Sequence, residues 1–85
     1  MVIHRGEKFS EYNKPKRHIK HKIYKYRVLA KENNIIRVVN FGDKRYKDYL
    51  QHKDKDRRDR FRKRMNCNNS YSKLTRKYWV CNYNW

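Results

Sequence analysis

At 85 residues the chain is one small domain at most. Its 25 Lys and Arg against 8 Asp and Glu give a formal net charge of +17, far above the roughly 2–8 that keeps a small domain soluble, so the composition points to an anionic partner: nucleic acid, an anionic membrane surface or an acidic protein. No apolar run approaches the ~20 residues of a membrane span, and the N-terminal MVIHRGEKFSEY lacks the apolar centre of a secretory signal.

Residues 1–21 show no sustained periodicity. They hold Gly6 and the sole proline, Pro15, and the run KPKRHIKHK (14–22) contains no acid. A flexible basic arm is expected, of the kind that serves as a nucleic-acid patch or nuclear-import signal.

KIYKYRVL (22–29) and IIRVVNF (35–41) are rich in β-branched and tyrosine residues and flank the polar AKENN. They predict a β-hairpin with Asn33-Asn34 at its tip, through a two- or a four-residue loop. Tyr24, Tyr26 and Val28 then share a face with Ile35, Arg37, Val39 and Phe41, the more apolar of the two. Leu, Ile, Val and Phe number only 16 of 85, just under the roughly 20% that warns of disorder in a highly charged chain. The expected core is therefore small and aromatic, built from the eight Tyr and two Trp.

Gly42 ends the second strand, and Asp43 is the expected N-cap of a helix over KRYKDYL, with Tyr46, Tyr49 and Leu50 as its apolar stripe. A break near Gln51-His52 precedes a second helix over about 53–65. There the acids come early and the bases late. Asp54–Arg58, Asp56–Arg60 and Asp59–Lys63 form i,i+4 pairs in the favourable order, and Asp54 and Asp56 suit the positive end of the macrodipole. The aspartates are expected to hold a cation-loaded helix together while its surplus charge faces a partner. Asn68, Asn69 and Ser70 read as a loop and cap. Tyr71, Leu74, Tyr78, Cys81 and Trp85 follow helical spacing, and the shorter alternation Trp79, Cys81, Tyr83, Trp85 also fits a strand; helix covers the longer stretch.

Little here suggests catalysis. Cys67 and Cys81 lie fourteen residues apart without a CxxC pair. They read as small packing residues, with a disulfide ahead of a zinc site that would recruit His18 and His21, and an intracellular compartment is the default. His52 beside Asp54 reads as a histidine at the start of a helix rather than a general base. Asp43, Asp48 and Asp54 could hold Mg²⁺ in a nuclease, but Asp43 and Asp48 have cap and surface-helix explanations. With no Gly-rich phosphate loop and no nucleophile beside a base, the chain is expected to be no enzyme, with no cofactor and no small-molecule substrate. Cations interleaved with aromatics, in KIYKYR, KRYKDY and RKYW, suit phosphate contacts combined with base stacking.

Phe41-Gly42, Tyr46, Asp48-Tyr49, His52-Lys53-Asp54, Arg57-Arg58, Tyr78-Trp79 and Trp85 together form a pattern. From Asn40 onward it resembles a family of small uncharacterised proteins encoded by nucleocytoplasmic large DNA viruses of the mimivirus, iridovirus and phycodnavirus kind. Arg45 stands where that family usually has Gly, and Asn82 where it has a middle Trp. The resemblance implies a viral source and a place in the particle, and transfers no catalytic residue.

The expected architecture is a small α+β unit: a β-hairpin carrying short helices in residues 22–85, preceded by the flexible basic arm of residues 1–21. The expected function is non-catalytic nucleic-acid binding, DNA ahead of RNA, in the organisation or packaging of viral DNA. Lys55, Arg57, Arg58, Arg60, Arg62, Lys63 and Arg64 would bind phosphates, assisted by Lys14, Lys16, Arg17 and Lys20 of the arm. The rival expectation is a minor virion protein that cements acidic capsid proteins. Either reading places the chain in the virion, or in the viral factory or nucleus of the host cell, and not in the secretory pathway.

Overall fold

Asn33 and Asn34 set the register of the main sheet. In the computed structural model, which describes residues 1–85, both adopt positive φ, 50° and 67°. A two-residue type I′ turn requires that pair, and Asn reaches the left-handed region at modest cost. In chain order the strands are β1 (Val2–His4), β2 (Glu7–Phe9), β3 (Lys16–Arg17), β4 (Tyr24–Glu32) and β5 (Ile35–Asp43). The helices are α1 (Tyr49–His52), α2 (Lys55–Arg64) and α3 (Arg76–Trp79), the last continuing as a π-helical segment, Val80–Asn84. The fold is α+β. One antiparallel sheet has the order β3-β4-β5 and a second is the β1-β2 hairpin.

The hairpin uses the two-residue loop. Glu32 faces Ile35, Val28 faces Val39 and Tyr26 faces Phe41. Tyr26, Val28, Ala30, Val39 and Phe41 are buried on one side beneath Trp79, with Leu74, Tyr78 and Val80 packed around them. Phe41 is the centre of this core, with no exposure. Ring centroids of Tyr26, Tyr83 and Trp79 lie 5.4, 5.7 and 6.1 Å away. Cover ends before the hairpin tip, so Ile35 and Arg37 of the same face remain exposed. Gly42 has φ +78°, and a Cβ there would stand 2.8 Å from Tyr26 Cδ2. The close approach of Tyr26 to the end of β5 therefore depends on glycine.

Residues 1–21 do not form the flexible arm expected of them. β3 pairs with β4, Lys16 opposite Arg27 and Arg17 opposite Tyr26. Phe9 is buried at 2% exposure. Asn13 brackets β4: its amide donates to Leu29 O at 2.9 Å, while its side chain accepts from Lys31 N at 2.9 Å and donates to Lys31 O at 3.2 Å. Glu7 receives Arg27 and Lys16, each at 2.9 Å. Burial raises the Glu7 carboxyl, but its bonds to Lys16 and Arg27 outweigh that and hold it below the usual glutamate range. Strands of two or three residues are too short to show a period, which is why they escape a sequence reading.

The helical region also differs in detail. Asp43 caps no helix; it stays in β5 and accepts from the Arg45 guanidinium at 2.8 Å and the Arg45 amide at 2.9 Å, which hold its carboxyl below the usual range. The cap of α1 is Asp48, whose amide donates to Gln51 Oε1 at 3.1 Å. Lys53, at φ 58°, turns the chain out of α1. Asp54 then caps α2, accepting from the amides of Asp56 and Arg57 at 3.0 and 3.3 Å. The pairs Asp54–Arg58, Asp56–Arg60 and Asp59–Lys63 are not formed: the ion pairs of the chain are Lys16–Glu7, Lys25–Asp48, Arg27–Glu7 and Arg45–Asp43. Asp54 already accepts two cap amides, and at Asp56 and Asp59 an exposed pair one turn on is worth little against the entropy of holding two side chains. Thr75 caps α3, so Asn68, Asn69 and Ser70 are loop only, and the helical reading of the C-terminal stretch holds from Arg76 on. Cys67 and Cys81, expected as separate packing residues, are joined in a disulfide.

Two outcomes check this architecture. Phe41→Ala empties the centre of the aromatic core and is expected to cost about 3–5 kcal/mol, read by chemical denaturation. An unchanged midpoint would contradict the packing. Because Glu7 is depressed in the folded state, its stabilisation is complete above the ordinary glutamate value of about 4.3 and is lost as pH falls through the lower folded value. Glu7→Gln is expected to remove that acid-dependent component of stability.

Candidate nucleic-acid interface

Three segments meet beside the open end of the hairpin. α2 docks on the C-terminal segment through Phe61, which stacks on Trp85 at 4.0 Å and 11°. Two arginines complete the contact: Arg58 Nε donates to the Trp85 backbone oxygen at 2.8 Å, and Arg62 donates to Cys81 O. These carbonyls lie near the end of a helical stretch, where such groups lack intrahelical donors and cations are favoured. The Cys67–Cys81 disulfide ties the chain just beyond α2 to the same segment.

A groove of about 730 Å³ opens between these walls. Arg57, Arg60, Phe61 and Arg64 of α2, with Met65 just after it, form one wall, and Arg76, Val80, Asn84 and Trp85 the other. The sheet end and following turn add Tyr24, Lys25, Gly42, Asp43, Tyr46, Lys47 and Asp48. Six cations thus face two carboxylates, and neither carboxylate is free. Asp43 is held by Arg45. Asp48, 2% exposed, accepts on Oδ2 from Lys25 Nζ at 3.1 Å, Asn84 Nδ2 at 3.2 Å and Tyr26 OH at 3.3 Å. Burial, and then the Asp48 charge, push the Tyr26 hydroxyl above its ordinary value, so it stays protonated and donating. The exposed side chains of Arg57, Arg60 and Lys47 have no hydrogen-bond or ion-pair partner, Arg64 only the face of Phe61, and Arg76 the Asn40 carbonyl and the face of Tyr24.

The cations singled out from sequence fall into four groups. Arg57, Arg60 and Arg64 line the groove; their spacing of three and four residues puts them on one helix face. Arg58 and Arg62 turn inward to the C-terminal carbonyls. Lys55, Asp59 and Lys63 lie on the face away from the groove, while Asp56, one turn before Arg60, borders it without lining it. In the N-terminal segment, Lys16 is held by Glu7 and the Phe9 ring, Arg17 lies over Tyr26, and Lys14 and Lys20 are exposed away from the groove. Lys25, Lys47 and Arg76 are groove cations absent from the sequence-based set. All three belong to the interleaved stretches KIYKYR, KRYKDY and RKYW, and that alternation is the signal that could have found them.

Metal and acid–base chemistry find no constellation. The two cysteines a zinc site would need are bonded to each other, and no three His, Cys, Asp or Glu side chains come together as ligands. His52 Nδ1 accepts from the Asp54 amide at 2.9 Å, and its ring packs on Tyr49 and Trp85. No helix is long and apolar enough to cross a membrane.

The groove is not the sole cationic cavity: a second, of about 390 Å³, is lined by His4, Arg5, Glu7, Arg27, Ile36, Arg37 and Val38 at the N-terminal strands and hairpin. The chain belongs to a family of unknown function, DUF5754, which it matches over residues 15–65. That span runs from the start of β3 through α2 and so includes the arginine wall, while the β1-β2 hairpin and the C-terminal wall lie outside it. No curated protein and no solved structure matches the chain.

The disulfide closes a loop of about 15 residues, for which chain entropy gives about 3 kcal/mol. Reductant, or Cys67→Ala with Cys81→Ala, is expected to lower unfolding free energy by that order. Reductant should have no further effect on the double variant. Equal stability of oxidised and reduced protein would show that the bond does not hold the two walls.

Proposed function

We propose that this chain is a non-catalytic nucleic-acid-binding protein that seats phosphates along its arginine wall, and that it organises or packages the DNA of a large DNA virus. One observation carries the reading: Arg57, Arg60 and Arg64 stand exposed in a row on one face of α2, with Arg76 across the groove from them. Supporting it, a net charge of +17 in 85 residues is relieved by a polyanion, and counterion release makes such binding strong at low salt. The viral setting rests on the resemblance of residues 40–85 to proteins of such viruses, and it places the protein in the particle or the viral factory. The second reading, a minor capsid protein that meets acidic shell surfaces, is favoured by the Cys67–Cys81 disulfide, since such bonds persist on particle surfaces and outside reducing compartments.

Fluorescence anisotropy with labelled DNA across a salt series tests the first reading. Affinity is expected to fall with a log–log slope of roughly 0.9 per duplex phosphate neutralised. Replacing Arg57, Arg60 and Arg64 with Gln should lower the slope and weaken all sequences alike, because phosphate contacts carry no base information. Lys55→Gln with Lys63→Gln removes charge from the far face and should do much less per charge. Equal loss per charge from the two faces would reduce the binding to bulk electrostatics. Absence of binding beyond a scrambled peptide of equal charge would leave the capsid reading.

A further inference from the structure

We infer that the groove is built for unpaired nucleotides: a single strand lies in it with phosphates on the arginine wall and a base stacked on Tyr46. The inference rests on the nucleic-acid reading above and goes beyond it in naming the form of the ligand. The first observation is concavity. Proteins read a duplex with convex elements, typically a helix set into a major groove about 12 Å wide. The arginine face of α2 cannot be used that way, because it looks across a cleft at a second wall that carries Arg76 and is fixed to α2 by the disulfide and by the Phe61–Trp85 stack. The volume, about 730 Å³, falls within the roughly 300–1,000 Å³ of clefts that enclose small molecules. That is room for a short run of nucleotides and not for a double helix.

The second observation is the placing of aromatics among the cations. Tyr46 is 64% exposed at the groove margin. Arg45, pinned on Asp43, lies over its ring at 5.6 Å, so a side chain this exposed nevertheless has a fixed neighbour. Tyr24 lines the groove with the Arg76 guanidinium over its ring at 4.4 Å. Aromatic platforms beside a cationic track are the means by which proteins hold single strands without reading sequence. From Arg57 to Arg64 the wall spans about 10.5 Å at 1.5 Å per residue, long enough to meet more than one phosphate of a strand.

The test compares one oligonucleotide sequence in two forms, a labelled 12-mer single strand and the same 12-mer in a closed hairpin duplex, against the oxidised full chain. The expected result is at least tenfold tighter binding of the single strand. Tyr46→Leu, an exposed and conservative change, should weaken single-strand binding about tenfold, the lower part of the range for one base–aromatic stack, and leave duplex binding unchanged. Retention of the wild-type denaturation midpoint by this variant assigns the loss to stacking. If both forms bind equally and Tyr46→Leu changes neither, while Gln at 57, 60 and 64 weakens both, the single-strand inference is overturned and the nucleic-acid reading stands. If neither form binds better than it does to the scrambled peptide, both fall together.

Discussion

The carboxylate of Asp48 is the point through which the separate pieces of this small protein are held in relation. It is buried, and its Oδ2 accepts three donors from two elements: Lys25 and Tyr26 on β4, and Asn84 in the π-helical segment. Asp48 itself begins α1. A charge so far from water is tolerable only with a charged partner and further donors around it, so the sheet, the first helix and the C-terminal segment must arrive together. Asp48 is also at the floor of the groove. Because Lys25 neutralises it there, the field in the groove remains that of the arginines above.

Excess positive charge is the second constraint, and the protein manages it by division. Arg27 is fixed on Glu7 and Asn40, Arg45 on Asp43, and Arg58 and Arg62 on backbone oxygens of the C-terminal segment. Each of these cations contributes to the fold through its fork of donors and its apolar stem. Among the cations left without a hydrogen-bond or ion-pair partner, Lys47, Arg57, Arg60 and Arg64 are brought together along the groove. The puzzle of a helix with both a large cationic surplus and three aspartates resolves in this way. Asp54 caps the helix and Asp56 stands in its first turn, where the macrodipole favours an anion, while Asp59 occupies the side away from the groove.

The hairpin was legible because three signals agree on it: β-branched and aromatic runs, an Asn-Asn tip, and a face on which Tyr26, Val28, Val39 and Phe41 coincide. The second helix was legible from charge order and a break in the apolar stripe, which sequence put near Gln51-His52 and the structure puts at Lys53-Asp54. The N-terminal strands were not, since their order comes from Glu7, Phe9 and Asn13 meeting β4 across distances of roughly twenty residues, which no local period records. The start of α1 was misplaced by five residues because Asp43 and Asp48 are equally good caps locally; the choice is made by Lys25, Tyr26 and Asn84. Of the groove, sequence exposed the row 57, 60, 64 but also Arg58 and Arg62, which tertiary contacts withdraw. Lys25, Lys47 and Arg76 come from three separate segments and converge only in the folded chain.

The central claim is that one face of α2, together with Arg76, is the binding surface, and that Arg58 and Arg62 are structural. Arginine side-chain NMR reads both halves in one titration, following each Nε–Hε signal as single-stranded DNA is added to the oxidised protein. The account predicts that Arg57, Arg60 and Arg64, whose guanidinium groups have no hydrogen-bond partner, shift and slow their exchange with water, while Arg58, whose Nε already donates to Trp85 O, stays where it is. Uniform small shifts across all arginines, or changes confined to Arg17 and the N-terminal segment, would contradict it.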